Sequence, residues 1–209
     1  MNKLYGKFIL VLIMSAGVIP PAVAQKQQAL ATHSGSFIQQ GGTTQTETPW
    51  EKFSPKGSGF EVLFPGKPTG SDEALDTAVG TLMHHQYSLL QGTSYFMVSY
   101  VDYPGPVTDP TLIKTMLDAG REGGLKATNG VLRSEKEIKL GEYVGREWVV
   151  VIPDGGVARA RAYWVSSRLY QAVVLIPETK DVEAGKLREA TMSKFLDSFV
   201  LTADGVPRQ

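Results

Sequence analysis

The feature that most constrains the fold of this chain is an alternation of apolar and polar residues with a period of two, repeated in short segments between residues 60 and 177. A period of two is that of a β-strand with one buried face. The segments are separated by turn-forming sequences such as "PGKPTG" and "PDGG", and strands joined by short turns pair as antiparallel hairpins. The sequence therefore predicts a mainly antiparallel sheet. Its strands are expected at 60–64, about 78–90, 94–103, 131–140, about 143–152, 157–166 and 168–177.

Two segments have the apolar spacing of helices instead. In the first, Asp109 is the expected N-cap and Pro110 the first helical residue, and the glycines of "REGG" at 121–124 are expected to end the helix. The second begins at Asp181 and spans about 181–197. Its apolar stripe contains Leu187, Thr191 and Phe195. The predicted fold is an α+β domain, a single mainly antiparallel sheet of about six or seven strands flanked by two helices, in the order βββ-α-ββββ-α.

The first 24 residues have the three-part layout of a secretory signal peptide. Two lysines precede an apolar stretch at 8–19, which is shorter than the roughly 20 residues that a membrane-spanning helix needs. The small residues Ala22 and Ala24 suit a signal peptidase, so cleavage is predicted between Ala24 and Gln25. The sequence therefore predicts an exported protein, periplasmic or extracellular, with no stable membrane span after cleavage.

The mature chain is expected to contain one domain. Residues 25–49 are rich in Gln, Thr, Ser and Gly and are predicted to form a flexible leader. The domain is expected at 50–201, and 202–209 form a C-terminal tail. The chain has no cysteine, so neither a lipid on cysteine nor a disulfide is expected. A domain of about 150 residues buries enough surface to fold without such a bridge.

The charge balance argues against nucleic acid as a partner. The chain has 21 basic and 21 acidic residues. Removing the signal peptide takes away two lysines and no acid, which leaves 19 basic against 21 acidic residues and a formal charge of −2. No long run of one sign occurs, whereas a nucleic-acid surface requires a basic patch or stripe.

The segment "VARARAYW" at 157–164 places two arginines on one face of a predicted strand. If the turn "PDGG" centres on its Asp-Gly pair, Arg161 lies opposite Trp148 and Tyr163 lies opposite Arg146. Each cation then has an aromatic partner across the ladder, and such an exposed cation–π contact contributes about 0.5–1 kcal/mol. The opposite face is flat and suits close packing of a helix. It carries Ala158, Ala160, Ala162 and Trp164.

This set of cations and aromatic rings is the candidate binding face of the protein. It consists of Arg146, Trp148, Arg159, Arg161 and Tyr163. Two interpretations are open. The side chains either lie flat as cation–π pairs on a sheet, or they converge in a concave pocket and bind an anion or a small molecule.

Searches for catalytic or metal-binding chemistry identify no site. His84 and His85 are adjacent on a predicted strand, so their side chains leave opposite faces and cannot share one metal ion. One is expected to be half-buried and the other exposed. The chain has no cysteine and no G-x-S-x-G motif around a serine. No catalytic, cofactor-binding or metal-binding residue is therefore assigned.

One pair of carboxylates has a spacing that occurs in glycosidases. Glu135 and Glu137 share a strand face at a separation of roughly 6.6 Å. Arg133 and Lys139 flank them on the same predicted face. The sequence therefore favours an ordinary solvated charge ladder over a catalytic pair.

Several segments resemble a widespread set of uncharacterised bacterial exported proteins. They are "PWEKFSPKGSGFEVLFPGKP", "LGEYVGREW", "SSRLYQAVVLI" and "KFLDSFVL". More distantly, the order of elements resembles the PsbP-like fold, an antiparallel sheet flanked by helices. The resemblance spans about 50–201, and its segments specify packing more than chemistry. PsbP-like proteins act mainly as accessory or partner-binding factors, so the resemblance implies a role without catalysis.

The sequence thus favours an exported, soluble, non-catalytic domain that binds a protein or an envelope component in an accessory role. The alternative is a small-molecule or anion-binding module, or an unrecognised hydrolase, that uses the arginine and aromatic face. Neither the partner nor the oligomeric state is specified by any pattern in the sequence.

Overall fold

The structure is a computed structural model of the 209-residue chain, and it describes residues 49–77, 79–153 and 155–203. The predicted signal peptide, its cleavage site, the leader up to residue 48 and the tail from residue 204 lie outside the described residues. Within the described ranges, no helix is both long and apolar enough to cross a membrane.

The described residues form strands and helices in the following order: β1 (Glu51–Phe53), β2 (Phe60–Phe64), β3 (Thr69–Thr77), β4 (Gly80–Gln91), β5 (Ser94–Asp102), α1 (Pro110–Thr128), β6 (Val131–Leu140), β7 (Tyr143–Ile152), β8 (Gly156–Val165), β9 (Arg168–Pro177), α2 (Val182–Asp197) and β10 (Val200–Leu201).

Seven strands form one antiparallel sheet in the order β3-β4-β5-β9-β8-β7-β6, and β1, β2 and β10 form a small second sheet. The α+β class, the two helices and the large antiparallel sheet agree with the prediction. The predicted order of elements is wrong in detail, because five strands rather than three precede α1 and a short strand follows α2.

The predicted strand at 60–64 exists, but it belongs to the small sheet. As β2 it pairs with β1 and β10, and its inward residues Phe60, Val62 and Phe64 are fully buried. The Phe64 ring packs on Phe195 of α2, and the Phe60 ring stacks on Phe199. Alternation correctly predicts a strand and its buried face. It does not identify the sheet, because distant strands supply the hydrogen-bond partners.

Strand β3 is absent from the prediction, which treats "PGKPTG" as a turn and starts the next strand at about residue 78. In the structure, β3 and β4 form a hairpin in which Thr77 pairs with Gly80 and Thr69 with Ser88. No residue of β3 is buried, and six of its nine residues are exposed. A strand without a buried face has no alternation of apolar and polar residues, so the pattern that identifies the other strands does not reveal β3.

Helix α1 begins where the sequence predicts and ends later. Asp109 caps it by accepting a hydrogen bond from the Thr111 N–H. The glycines of "REGG" do not stop the helix, which continues to Asn129, a C-cap in the left-handed conformation with φ 49°. Gly120 and Leu117 are buried against the sheet. This tertiary packing outweighs the roughly 1 kcal/mol by which each glycine disfavours a helix.

Helix α2 begins after Asp181, whose side chain accepts a hydrogen bond from the Ala184 N–H, as expected for an N-cap. Its buried residues are Met192, Phe195 and Leu196. Leu187, which the sequence places on the apolar stripe, is 65% exposed. That part of the prediction is wrong, because only the C-terminal half of α2 carries the buried face.

The main sheet has a separate core on each face. On one side, here called the α1 face, Leu117 of α1 packs in the same cluster as the flat surface predicted from "VARARAYW". The residues of that surface are Ala158, Ala160, Ala162 and Trp164. On the other side, the α2 face, Met192 and Phe195 pack with the small sheet over Tyr170 and Val174. The domain therefore has three layers with the sheet in the middle.

Candidate functional site

The pairing between β7 and β8 determines on which face of the sheet each residue of the predicted arginine face lies. Ile152 pairs with Gly156, so three residues rather than two separate the paired ends, and Gly155 has a φ of 88°. Asp154 itself lies outside the described residues. The predicted register is wrong by one residue. Side chains alternate between the two faces along a strand. A shift of one residue in the pairing therefore places two residues that were expected to share a face on opposite faces of the sheet.

The candidate residues consequently divide between two faces of the sheet. Arg161 lies opposite Glu147 rather than Trp148, and Tyr163 lies opposite Gly145 rather than Arg146. Arg146 and Trp148 pair with alanines of β8 and lie on the α1 face. Tyr163 lies in the core of the α2 face, and the two arginines of β8 share that face with it. The five residues do not form one surface.

On the α1 face, Arg146 is buried in a cluster of charges between the sheet and α1. Its Nη1 lies 2.7 Å from Glu135 Oε1 and 3.6 Å from Asp118 Oδ1. Arg121 of α1 donates to the other oxygen of Glu135. A hydrogen bond from Lys114 lowers the pKa of Asp118, and the nearby arginines lower it further. The cluster joins α1 to β6 and β7.

Glu135 and Glu137 are therefore not an ordinary solvated ladder. Glu135 is partly buried and accepts from two arginines, whereas Glu137 is largely exposed and lies 3.4 Å from Arg146 Nη2. The predicted flanking cation Arg133 pairs with Glu178 at 2.9 Å. A bulge between Leu132 and Ser134 changes the register of β6, and so Arg133 does not flank the carboxylates as predicted.

On the α2 face, Arg159 and Arg161 attach α2 to the sheet. Arg159 forms an ion pair with Glu189 and donates to Ser193 Oγ at 3.3 Å. The Arg161 Nε lies 2.6 Å from Glu147 Oε2, and its Nη2 lies 2.7 Å from Asp197 Oδ1.

The environment of Glu147 favours its charged form. Burial raises the pKa of this carboxyl, but hydrogen bonds from Arg161 and Lys136 outweigh burial and hold the pKa below its ordinary value. Nearby, the Tyr163 ring stacks on Phe199 at 5.8 Å with an interplanar angle of 9°.

Neither of the two interpretations of "VARARAYW" holds. The arginines neither stack on the predicted rings nor converge on a shared anion, because each already has carboxylate partners. The predicted pairs Arg161–Trp148 and Arg146–Tyr163 are wrong. The cation–π contacts lie elsewhere in the described residues, and one of them places Arg168 over Tyr100 at 4.3 Å.

A second polar cluster was not predicted from the sequence. It is here called the Tyr100 stack and consists of Asp72, His85, Tyr100, Asp102 and Arg168. Asp72 Oδ1 lies 2.8 Å from His85 Nδ1, and the imidazole stacks on the Tyr100 ring at 4.6 Å. Arg168 contacts the same ring and binds the carboxylate of Asp102 with two nitrogens. Burial, together with the nearby Tyr87, raises the pKa of Tyr100 to about 12.

The Tyr100 stack joins β3 to the small sheet. Asp72 contributes from β3, and Arg168 donates to the carbonyls of Gly57 and Ser58 in the loop before β2. Tyr170 donates to the same Ser58 carbonyl at 2.9 Å. The only signal in the sequence was the hydrophilic composition of 69–77, which becomes informative once β3 is recognised as a strand.

The two histidines leave opposite faces of β4, as predicted. His84 is buried on the α1 face, and burial lowers its pKa to about 4. His85 is partly exposed on the α2 face. Both are more buried than the sequence suggests, because β3 covers the edge of β4.

The two edge strands of the main sheet differ in how they are protected. Strand β6 has a bulge and the basic residues Arg133, Lys136 and Lys139, which are devices that prevent pairing with another chain. Strand β3 pairs with β4 without a bulge over nine residues and contains no lysine, arginine or proline. Among the described strands, β4 is the only neighbour of β3.

Comparison with known proteins identifies the fold. No family model matches the sequence, and no curated protein matches it. The solution structure of cyanobacterial PsbP (CyanoP) from Synechocystis sp. PCC 6803 is similar, with a TM-score of 0.50. The fold is PsbP-like. The match covers 79% of this chain and 99% of that chain at 15% sequence identity, so it supports the resemblance inferred from the sequence and is evidence of fold alone.

Proposed function

We propose that this chain is exported and that its PsbP-like domain is an accessory, non-catalytic domain that binds a protein component of the cell envelope. The observation that carries the proposal is the exposure of β3, a regular strand at the edge of the sheet that has no bulge, no basic residue and no proline among the described residues. An exposed strand edge is a template for pairing with another chain.

The distribution of charge supports a binding role at this edge rather than at the arginines. Arg146, Arg159 and Arg161 are held by carboxylates that attach the helices to the sheet. An anion would have to displace those carboxylates before it could bind. These three arginines are therefore not available to an anion, which argues against the anion-binding alternative.

The hydrolase alternative has little support from the histidine–carboxylate pair of His85 and Asp72. Asp72 orients His85 as a carboxylate orients a general base. The ring stacked on this imidazole is Tyr100, whose pKa is raised to about 12, so its hydroxyl is a poor nucleophile at neutral pH. The arrangement is better suited to holding β3 in place.

Export is supported by the signal peptide predicted from the first 24 residues. It would place the domain where a partner in the envelope can reach it. The accessory role agrees with what the resemblance to PsbP-like proteins implies.

The test is site-specific photocross-linking of the full chain in its native envelope. A photoreactive residue replaces Ala74, which is exposed on β3, or Lys139, which is exposed on β6 and serves as the matched control. We expect a discrete adduct of one protein from position 74 and none from position 139. N-terminal sequencing of the exported protein is expected to show Gln25 as its first residue. A retained Met1, or equal labelling from both positions, contradicts the proposal.

A further inference from the structure

The edge of β3 has a charge that restricts what can pair with it. The strand carries three carboxylates and no basic residue. Asp72 and Asp76 lie on one face of the sheet, and Glu73 lies on the other because side chains alternate. Opposite Glu73 on β4 is His84, which is neutral at pH 7 because burial lowers its pKa to about 4. The exposed edge is therefore acidic on both faces.

The backbone of β3 can accept one more strand. In an antiparallel pair, alternate residues direct their N–H and C=O groups away from the neighbouring strand. Strand β3 is nine residues long and is paired without interruption on its inner side, so its outer side presents a regular row of donors and acceptors. Peptide recognition by strand addition uses such a row for affinity and the side chains for specificity.

A second copy of this chain fits the edge poorly. If two β3 strands paired antiparallel around Ala74, Asp72 of each copy would lie opposite Asp76 of the other. Like charges directly opposite are destabilising. The basic edge strand β6 of another copy has the opposite charge, but β6 contains a bulge, which interrupts the regular row of backbone groups that pairing with β3 requires.

We propose that β3 binds an extended basic segment of a partner protein as an added antiparallel strand, with basic side chains facing Asp72, Glu73 and Asp76. The inference rests on the proposed function and specifies the chemistry of the partner. Antiparallel pairing is chosen because every pair in the main sheet is antiparallel. In this register, a nine-residue segment opposite 69–77 has its basic residues at positions two, five and six.

The probe is a blocked nine-residue peptide of alternating threonine and valine with lysine at those three positions. One control peptide has glutamate there, and another has N-methyl groups that remove its backbone donors. Binding to the mature chain is measured by calorimetry, and amide hydrogen exchange shows where the peptide lies. We expect the lysine peptide alone to bind and to protect alternate amides of β3, without protecting β6.

Charge variants of the protein test the contacts. The substitutions Glu73→Gln and Asp76→Asn together are expected to weaken binding of the lysine peptide about tenfold, since each removes one exposed ion pair. Asp76→Lys is expected to prefer a peptide with glutamate at position two, and this gain of binding cannot result from misfolding. Lys139→Glu on β6 is the matched control and is expected to leave binding unchanged.

Other outcomes overturn the inference. They include binding without protection of β3, equal binding of the N-methylated peptide, and β3 amides that are already protected in the free mature chain by its own leader. Assembly of the chain into filaments through β3 and β6 also overturns it.

If the peptide fails to bind but cross-linking from position 74 yields one protein, the partner is not a basic strand and the proposed function stands. If the peptide binds and no adduct forms, the proposed function fails.

Discussion

The two ends of the seven-stranded sheet are built differently. At the β6 end, Glu135 binds arginines of β7 and α1, and Glu147 binds Lys136 of β6 and Arg161 of β8. Arg161 extends this network to α2 through Asp197. At the β3 end, a hydrogen bond between Asp72 and His85 joins the edge strand to its neighbour. One end is connected to both helices, whereas at the other end β3 has β4 as its single neighbouring strand among the described residues.

The difference shows that charge has opposite uses at the two ends. Carboxylates at the β6 end are neutralised by arginines and hold layers together, whereas those on β3 remain largely exposed. A strand that is tied to both helices contributes to stability. An edge strand with fewer contacts contributes less, and β3 is the strand proposed to bind a partner. Four predictions test this contrast, from the largest expected effect to the smallest.

The largest effect is expected at the β6 end. Arg161→Ala leaves the buried carboxylate of Glu147 with Lys136 alone and releases Asp197 of α2. The free energy of unfolding in urea should fall by about 3 kcal/mol, because removing one partner of a buried pair leaves an uncompensated charge. The matched substitution at the other end, His85→Ala, should cost about 1 kcal/mol. Equal losses would remove the contrast between the ends.

Two glycines compare the tolerance of the two ends to added volume. A Cβ on Gly145 of β7 would lie 2.4 Å from the Tyr163 ring and 2.5 Å from the Ala162 carbonyl oxygen, whereas a Cβ on Gly70 of β3 would lie 3.1 Å from the Tyr87 ring. Gly145→Ala is expected to cost about 2–3 kcal/mol by overpacking, and Gly70→Ala less than about 1 kcal/mol because an edge strand can shift. Thermal unfolding of both variants measures the difference. A larger cost at Gly70 would mean that β3 is held rigidly.

Acid is expected to weaken the β3 end. Burial, together with the neighbouring His85, lowers the pKa of His84 from 6.5 to about 4. As the pH falls below about 6.5, the unfolded chain takes up a proton here that the folded chain does not take up until about pH 4. The free energy of unfolding should therefore fall through this window. His84→Gln should show a shallower dependence on pH, and identical slopes for both proteins would contradict the assignment.

The smallest effect on stability is expected from a substitution that weakens the protection of β6. Lys139→Thr removes an exposed positive charge from this edge and should change the free energy of unfolding by less than about 0.5 kcal/mol. Its effect should appear in self-association instead, because lysine on an edge strand opposes pairing with another chain. Sedimentation velocity at rising concentration measures this tendency. A variant that stays as monodisperse as the wild type would show that the bulge protects β6 by itself.

Several features of the fold could be predicted from local sequence because their causes are local. Asp109 and Asp181 begin the helices as expected, since each side chain accepts a hydrogen bond from its own first turn. The flat surface around Ala160 packs with α1, since small residues permit close approach of a helix. The period-two segments between 131 and 177 all became strands of the main sheet.

The candidate site could not be predicted in the same way. One extra residue in the turn before Gly156 changes the partner of Arg161 from Trp148 to Glu147, and no pattern in the strands themselves specifies that loop length. The Tyr100 stack requires Asp72, His85 and Arg168 to meet from three strands. Such contacts depend on the register of every pair between them.

The sequence by itself determined the α+β class, the helix starts, most of the strands and the alternation of buried and exposed faces, because hydrogen bonds within a turn and the period of a strand act over a few residues. The tertiary structure alone decided the strand order, the register of β7 with β8, the continuation of α1 past its glycines and the position of β3 at the edge of the sheet. Each of these depends on free energy from contacts between residues distant in the chain, which outweighs local preference.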